Sequence, residues 1–159
     1  MNTKRQKGFS LIELLIVIAI IGIIAAIAIP NLLSSRRAAN EGSAQSAIRT
    51  IHSSQATWQS TSGNGAFTSL LTDLSGANLI DDVLGGGTKG GFDFALVDVS
   101  GTGPAAQFGV TAVPTITSGI AQTGARRFGM TQVGVLRGDT TMTAPTSVAA
   151  IDALPPLGG

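Results

Sequence analysis

The apolar residues of this chain are crowded toward one end. From Phe9 to Ile29 the sequence reads FSLIELLIVIAIIGIIAAIAI, and only Ser10, Glu13 and Gly22 fall outside Phe, Leu, Ile, Val and Ala. A run with no polar stripe predicts a helix that is apolar on every side, not an amphipathic surface helix. Its 21 positions extend about 31 Å at ~1.5 Å per residue, which matches the ~30 Å hydrocarbon layer of a bilayer. The side-chain charges before it, Lys4, Arg5 and Lys7, are all basic. They hold the N-terminus on the cytoplasmic side and send the remainder across the membrane.

Beyond Pro30 the pattern changes. From Leu32 to about Ser60 the residues Ala44, Ile48, Ile51, Gln55 and Trp58 recur at helical spacing and mark one buried face. Arg36, Arg37, Glu41 and Arg49 are expected on the wet side or in a subunit contact. Thr61-Ser62-Gly63-Asn64-Gly65 ends the helix. Residues 66–90 read as a low-charge loop region with a short helix near Ser69 to Leu74, closing in a flexible Gly85–Gly90 connection. That stretch is no phosphate loop, because Lys89 is followed by Gly and not by Ser or Thr. Phe92, Phe94 and Leu96, then Phe108, Val110 and Ala112, alternate with their neighbours at a period of two and predict half-buried strands joined by a turn at Ser100–Pro104. Arg127–Met130 and Val133–Leu136 predict a closing hairpin, and residues 139–159 read as extended or mobile. The fold class expected is α+β, a long N-terminal helix packed on a small antiparallel sheet.

Composition narrows the chemistry. The 159 residues suffice for one domain, and only 12% are charged, about half the usual share. Net charge is +1, so no general basic field attracts nucleic acid. Without Lys4, Arg5 and Lys7, the ten basic residues become seven against nine acidic ones. There is no Cys, which removes disulfides, thiolate metal sites and a thiol nucleophile together. One His and no Tyr leave few groups for acid–base chemistry near neutral pH. No cofactor and no metal are expected.

Glu13 is the residue that needs an explanation, since a carboxylate deep in a bilayer costs roughly 2.5–3.5 kcal/mol. A cleaved secretory signal would use Ala26-Ile27-Ala28 as its small-residue site, but the apolar core is longer than the usual ~7–15 residues. A plain signal anchor accounts for the span and leaves the glutamate unused. The residues Lys7-Gly8-Phe9-Ser10-Leu11-Ile12-Glu13, running on to Pro30-Asn31, resemble the prepilin cleavage and methylation motif of type IV pilins and of the related pseudopilins of type II secretion.

That resemblance implies a cut between Gly8 and Phe9 by a prepilin peptidase, and methylation of the new Phe9 amine. Glu13 then becomes the fifth residue of the mature chain. Inside a filament, the Phe9 amine and the Glu13 carboxylate each cost less as a pair than alone. Their matching would set axial register as one buried polar residue does in a coiled coil. Gly8 permits close approach of the peptidase to the backbone. Gly22 and Pro30 are weak helix points, Pro30 lacking the amide N–H, where a kink or local melting is expected in the filament. The organisation implied is a leader (1–8), a membrane and filament-core helix (9–30), an amphipathic continuation (31–62) and a globular loop-and-sheet region (63–159).

The function expected is a structural one: a pilus subunit polymerised into a surface filament for adhesion, motility or DNA uptake. It is not an enzyme. Its partners are copies of itself, the peptidase and an inner-membrane assembly platform, with the membrane holding it before assembly and no nucleic acid expected. The precursor belongs in the inner membrane and the product outside the cell. A periplasmic pseudopilin is the alternative, and a membrane-anchored exported binding domain the second.

The remaining signals are weaker. Asp73, Asp81 and Asp82 offer oxygens for Ca²⁺ but read as surface charge. Major pseudopilins are similar in carrying calcium toward the C-terminus, where this sequence has only Asp139 and Asp152. Absent cysteines remove the C-terminal disulfide of many pilins. His52 reads as a surface or packing residue. Arg137-Gly138-Asp139 spells an attachment tripeptide that a turn explains, and Arg126, Arg127 and Arg137 together make a possible basic spot.

Overall fold

A computed structural model describes residues 9–157. Helix α1 runs Leu11–Thr61, and the chain divides into two compact units, one through Ser35 and one from Arg36 onward. In the first unit α1 is exposed along nearly its whole length, including Leu14, Ile18, Ile21 and Ile24. The helix passes through Gly22 and Pro30 without a break in its assignment.

The second unit begins with the last 26 residues of α1, Arg36–Thr61. Ala44, Ile48, Ile51 and Gln55 are buried there and Trp58 packs against the core, so the periodic stripe is the core face. Helix α1 stops where the Gly63 and Ser62 amides both donate to the Trp58 carbonyl, at 2.8 and 3.0 Å. Two short helices follow, α2 (Leu71–Gly76) and α3 (Asp82–Gly85). Strand β1 (Thr88–Lys89) then pairs with β2 (Phe92–Ser100). The Gly85–Gly90 stretch is therefore ordered and not a flexible connection. Gly90 and Gly91, at φ 60° and 77°, supply the two left-handed residues that a two-residue hairpin turn requires.

The sheet continues with β3 (Gln107–Pro114), β4 (Arg127–Thr131) and β5 (Leu136–Asp139), in the order β1-β2-β3-β4-β5 and antiparallel throughout. The closing hairpin forms, but its second strand lies later than the expected Val133–Leu136. Residues 132–135 make the turn, and Met130 pairs with Leu136. Phe94, Ala112 and Phe128 lie side by side across the sheet, as do Leu96, Val110 and Met130. This face meets α1, and Phe92, Phe108, Phe128, Ile48 and Ile51 are its largest fully buried apolar side chains. The class is α+β.

The opposite face of the sheet is covered as well, which period-two reading did not anticipate. Gly109, Thr111, Gly129 and Thr131 are all buried beneath α4 (Val148–Asp152). A Cβ on Gly129 would stand 3.0 Å from Ile151 Cγ2, and one on Gly109 2.6 Å from Ile151 Cδ1. The two glycines thus make room for Ile151, which is itself fully buried. The segment after residue 139 was expected to be extended or mobile. Instead it is fastened, with Ser147 capping α4 and the Asp98 carboxylate, from a left-handed residue at a β2 irregularity, accepting from the Val148 amide at 3.2 Å.

Candidate assembly site

Phe9 and Glu13 sit at the start of α1, and Gly8 lies outside the described residues. Phe9 and Ser10 precede the helix, and the Leu14 amide donates to the Ser10 carbonyl at 3.2 Å. Phe9 is 78% exposed and Glu13 is exposed in the first turn. A carboxylate there faces the positive end of the helix dipole. Glu13 follows Phe9 by four positions in sequence. Among the described residues no ion pair engages Glu13.

The helix behind them can do one kind of chemistry, which is to be buried. Its apolar side chains from Leu11 to Leu32 point outward in every direction, and α1 is long and apolar enough to cross a membrane. Such a surface is stable only in hydrocarbon or against other apolar surfaces.

The other sequence signals resolve into packing. Glu41, expected on the wet side or in a subunit contact, is 7% exposed and held within its own chain. One oxygen accepts from the Ala125 amide at 2.8 Å, and the other accepts from Arg126. Its position one turn before Ala44, on the flank of the buried stripe, was the signal that pointed inward. Arg37 donates to the carbonyls of Gln122 and Gly119, and Asn40 donates to that of Thr123. Together these three α1 residues hold the β3–β4 loop. Gln55, the polar member of the stripe, forms a pair of bonds with Thr68: Nε2 donates to its carbonyl at 2.7 Å and Oε1 accepts from its amide at 3.0 Å.

No basic spot forms from Arg126, Arg127 and Arg137. Arg126 pairs with Glu41, Arg127 with Asp139 and Arg137 with Asp152. The same pairs engage the two C-terminal carboxylates considered for calcium. Arg127 meets Asp139 at 2.7 and 3.0 Å, and this hydrogen bond, opposed by partial burial, holds the Asp139 carboxyl below its ordinary value. Asp73 accepts from Thr68 Oγ1. Asp81 pairs with Lys89, which lowers its carboxyl as well. The Arg137-Gly138-Asp139 tripeptide lies in β5 and not in a turn, with Gly138 opposite Phe128. His52 rests 5.7 Å from the Phe108 ring, with Nε2 3.4 Å from the Gln132 carbonyl.

The relatives of this chain are relatives of its N-terminal segment. A family model described as the prokaryotic N-terminal methylation motif matches residues 3–29. The type IV wide pilus major component of Thermus thermophilus is 66% identical over 38 residues, covering 24% of this chain and 29% of that protein. The type IV major pilin of Myxococcus xanthus is 45% identical over 51 residues, 32% of this chain and 23% of the pilin. The type II secretion system core protein G of Aeromonas hydrophila is 42% identical over 48 residues, 30% of this chain and 34% of the relative. The match thus spans only a quarter to a third of each relative's length. No solved structure gives a significant match. Residues 3–29 carry the prepilin methylation motif, in a segment similar to those of type IV pilins and type II secretion pseudopilins.

Proposed function

We propose that this chain is a structural subunit of a type IV pilus, processed between Gly8 and Phe9 and polymerised through residues 9 to about 55. The observation that carries this reading is a methylation-motif helix exposed and apolar on every side, with a carboxylate at Glu13 in its first turn. Before assembly the apolar helix lies in the inner membrane. During assembly it leaves lipid for a bundle of identical helices, and the methylated Phe9 amine meets Glu13 of a neighbour or of its own chain. Pro30 and Gly22 are the points at which the helix bends or melts to fit that bundle. The globular part displays a five-stranded sheet covered on both faces and has no catalytic role. A prepilin peptidase and an inner-membrane platform are the machinery this requires.

A type II pseudopilin is the second reading, favoured by the likeness to core protein G. Against it, the two carboxylates near the C-terminus are engaged by arginines. The test is mass spectrometry of the N-terminus, on material sheared from cells and on the remaining envelope. Methylated Phe9 in the sheared fraction is the result expected. Methylated Phe9 confined to the envelope would favour the pseudopilin, and a chain starting at Ile29 would mean an ordinary secreted domain.

A further inference from the structure

The second half of α1 turns one face to the core and another to solvent. On the solvent face Ala39, Gly42, Ser46, Ser53 and Thr57 are exposed, with Arg49 among them. Three hydroxyls on this side are already used inside the helix, and that of Ser46 is not among them. Thr50 Oγ1 donates to the Ser46 carbonyl at 3.1 Å, Ser53 Oγ to that of Thr50 at 2.9 Å, and Thr57 Oγ1 to that of Ser53 at 3.2 Å. A partner covering the face therefore strands none of these donors, and the desolvation cost of an unmatched polar group is avoided. What such a partner has to supply is a carboxylate, because Arg49 takes part in no ion pair among the described residues.

The same chain offers one elsewhere. Asp82 is exposed beside Val83, itself 60% exposed, and no ion pair among the described residues includes it. Around it charge is one-sided. The stretch 71–94 holds Asp73, Asp81, Asp82 and Asp93 against Lys89, whereas α1 from Arg36 onward holds Arg36, Arg37 and Arg49 against Glu41. Glu41 is spent on Arg126. One subunit thus carries two stretches of opposite sign.

Complementary regions at different places on one subunit join copies head to tail, and such contacts propagate as a helix when they do not close a ring. We infer that the Arg49 face of α1 docks the Asp82–Val83 corner of a second copy, with Arg49 paired to Asp82. Charge pairs of this sort select register and partner more than they add affinity. The inference rests on the reading of the chain as a filament subunit.

The full chain is tested in cells. Arg49→Glu or Asp82→Arg alone is expected to lower the yield of sheared fibre about tenfold or more, since like charges meet across the contact. The two substitutions together restore it to within about threefold of the parent. Single variants that assemble like the parent, or a double variant as poor as the singles, would overturn the contact. Methylated Phe9 is measured in every membrane fraction. If it is normal and fibre yield ignores these charges, only this contact fails. A parent chain with no methylated Phe9 and no fibre defeats the subunit reading and the contact with it. Because the chain has no cysteine, Arg49→Cys with Asp82→Cys gives a second measurement. A short bismaleimide is expected to convert fibres of this variant into a ladder of multimers. Fibres that stay monomeric after treatment, or that cross-link through Arg49→Cys alone, count against it.

Discussion

Glu13 and Gln55 are both polar groups in apolar company on one helix, and they meet that situation in opposite ways. Gln55 is fully buried and bonds to the amide and carbonyl of Thr68 within its own chain. A side-chain amide can do this because it carries donor and acceptor together. Glu13 can only accept when ionised, and it stands exposed with no ion-pair partner among the described residues. On the proposed assembly, its need for a cation is met by the Phe9 amine only once helices are bundled. Glu13→Ala therefore leaves an unmatched amine in the filament, at a cost of about 3–5 kcal/mol for breaking a buried pair. Membrane insertion, which depends on the apolar length, is expected to be normal, while sheared-fibre yield falls about tenfold or more by that same cost. Quantifying the chain in membrane and sheared fractions checks this. Unchanged fibre yield would remove Glu13 from the register argument.

At the scale of elements, what could be read in the sequence was what a single period reports. The Ala44–Trp58 stripe and the alternation in Phe92–Leu96 and Phe108–Ala112 each record contact with one core, and helix and strands lie where those periods place them. Two features escaped because their signal is not periodic. The stretch after α3 folds into the β1–β2 hairpin through backbone conformations that only the glycines hint at. The outer sheet face is covered by a segment whose sequence, VAAID, is too short to show a helical period. Its imprint was on the partner strands, as the small residues Gly109 and Gly129 opposite Ile151. The methylation-motif segment, residues 3–29, was legible as a motif, because its signal lies in residue order rather than in packing. If α4 closes the sheet as described, Ile151→Ala opens a cavity over those glycines and destabilises the chain by about 2–5 kcal/mol. A urea titration of the full chain in detergent measures it. A loss under about 0.5 kcal/mol, the range of ordinary surface substitutions, would mean that α4 is a surface appendage.

For the molecule as a whole, the question is how a chain without cysteine fastens its C-terminal part. Hydrogen bonds join Gly138 to Pro155 and Leu157 to Leu136, at 3.1 and 2.9 Å. Arg137 donates to the Leu154 carbonyl at 2.9 Å and lies 3.5 Å from Asp152. Arg127 grips Asp139 through two bonds and also donates to the Thr143 carbonyl. Part of this closure is ionic where a disulfide would be covalent, so that part responds to acid and not to reductant. The sign follows from Asp139, whose carboxyl is held below 3.8 chiefly by Arg127. A group with a lowered folded pKa stabilises the fold fully above its unfolded pKa and loses that contribution as pH falls through the folded value. Stability should therefore be flat from neutral pH to about 5 and decline below about 4. Asp81, lowered by Lys89, titrates in the same window but is exposed and contributes weakly. Asp139→Asn is expected to be less stable at pH 7 and to lose less between pH 5 and pH 3. Urea midpoints at these pH values, with and without reductant, separate the cases. A variant with the parent's full acid slope would show that Arg127–Asp139 does not fasten the closure.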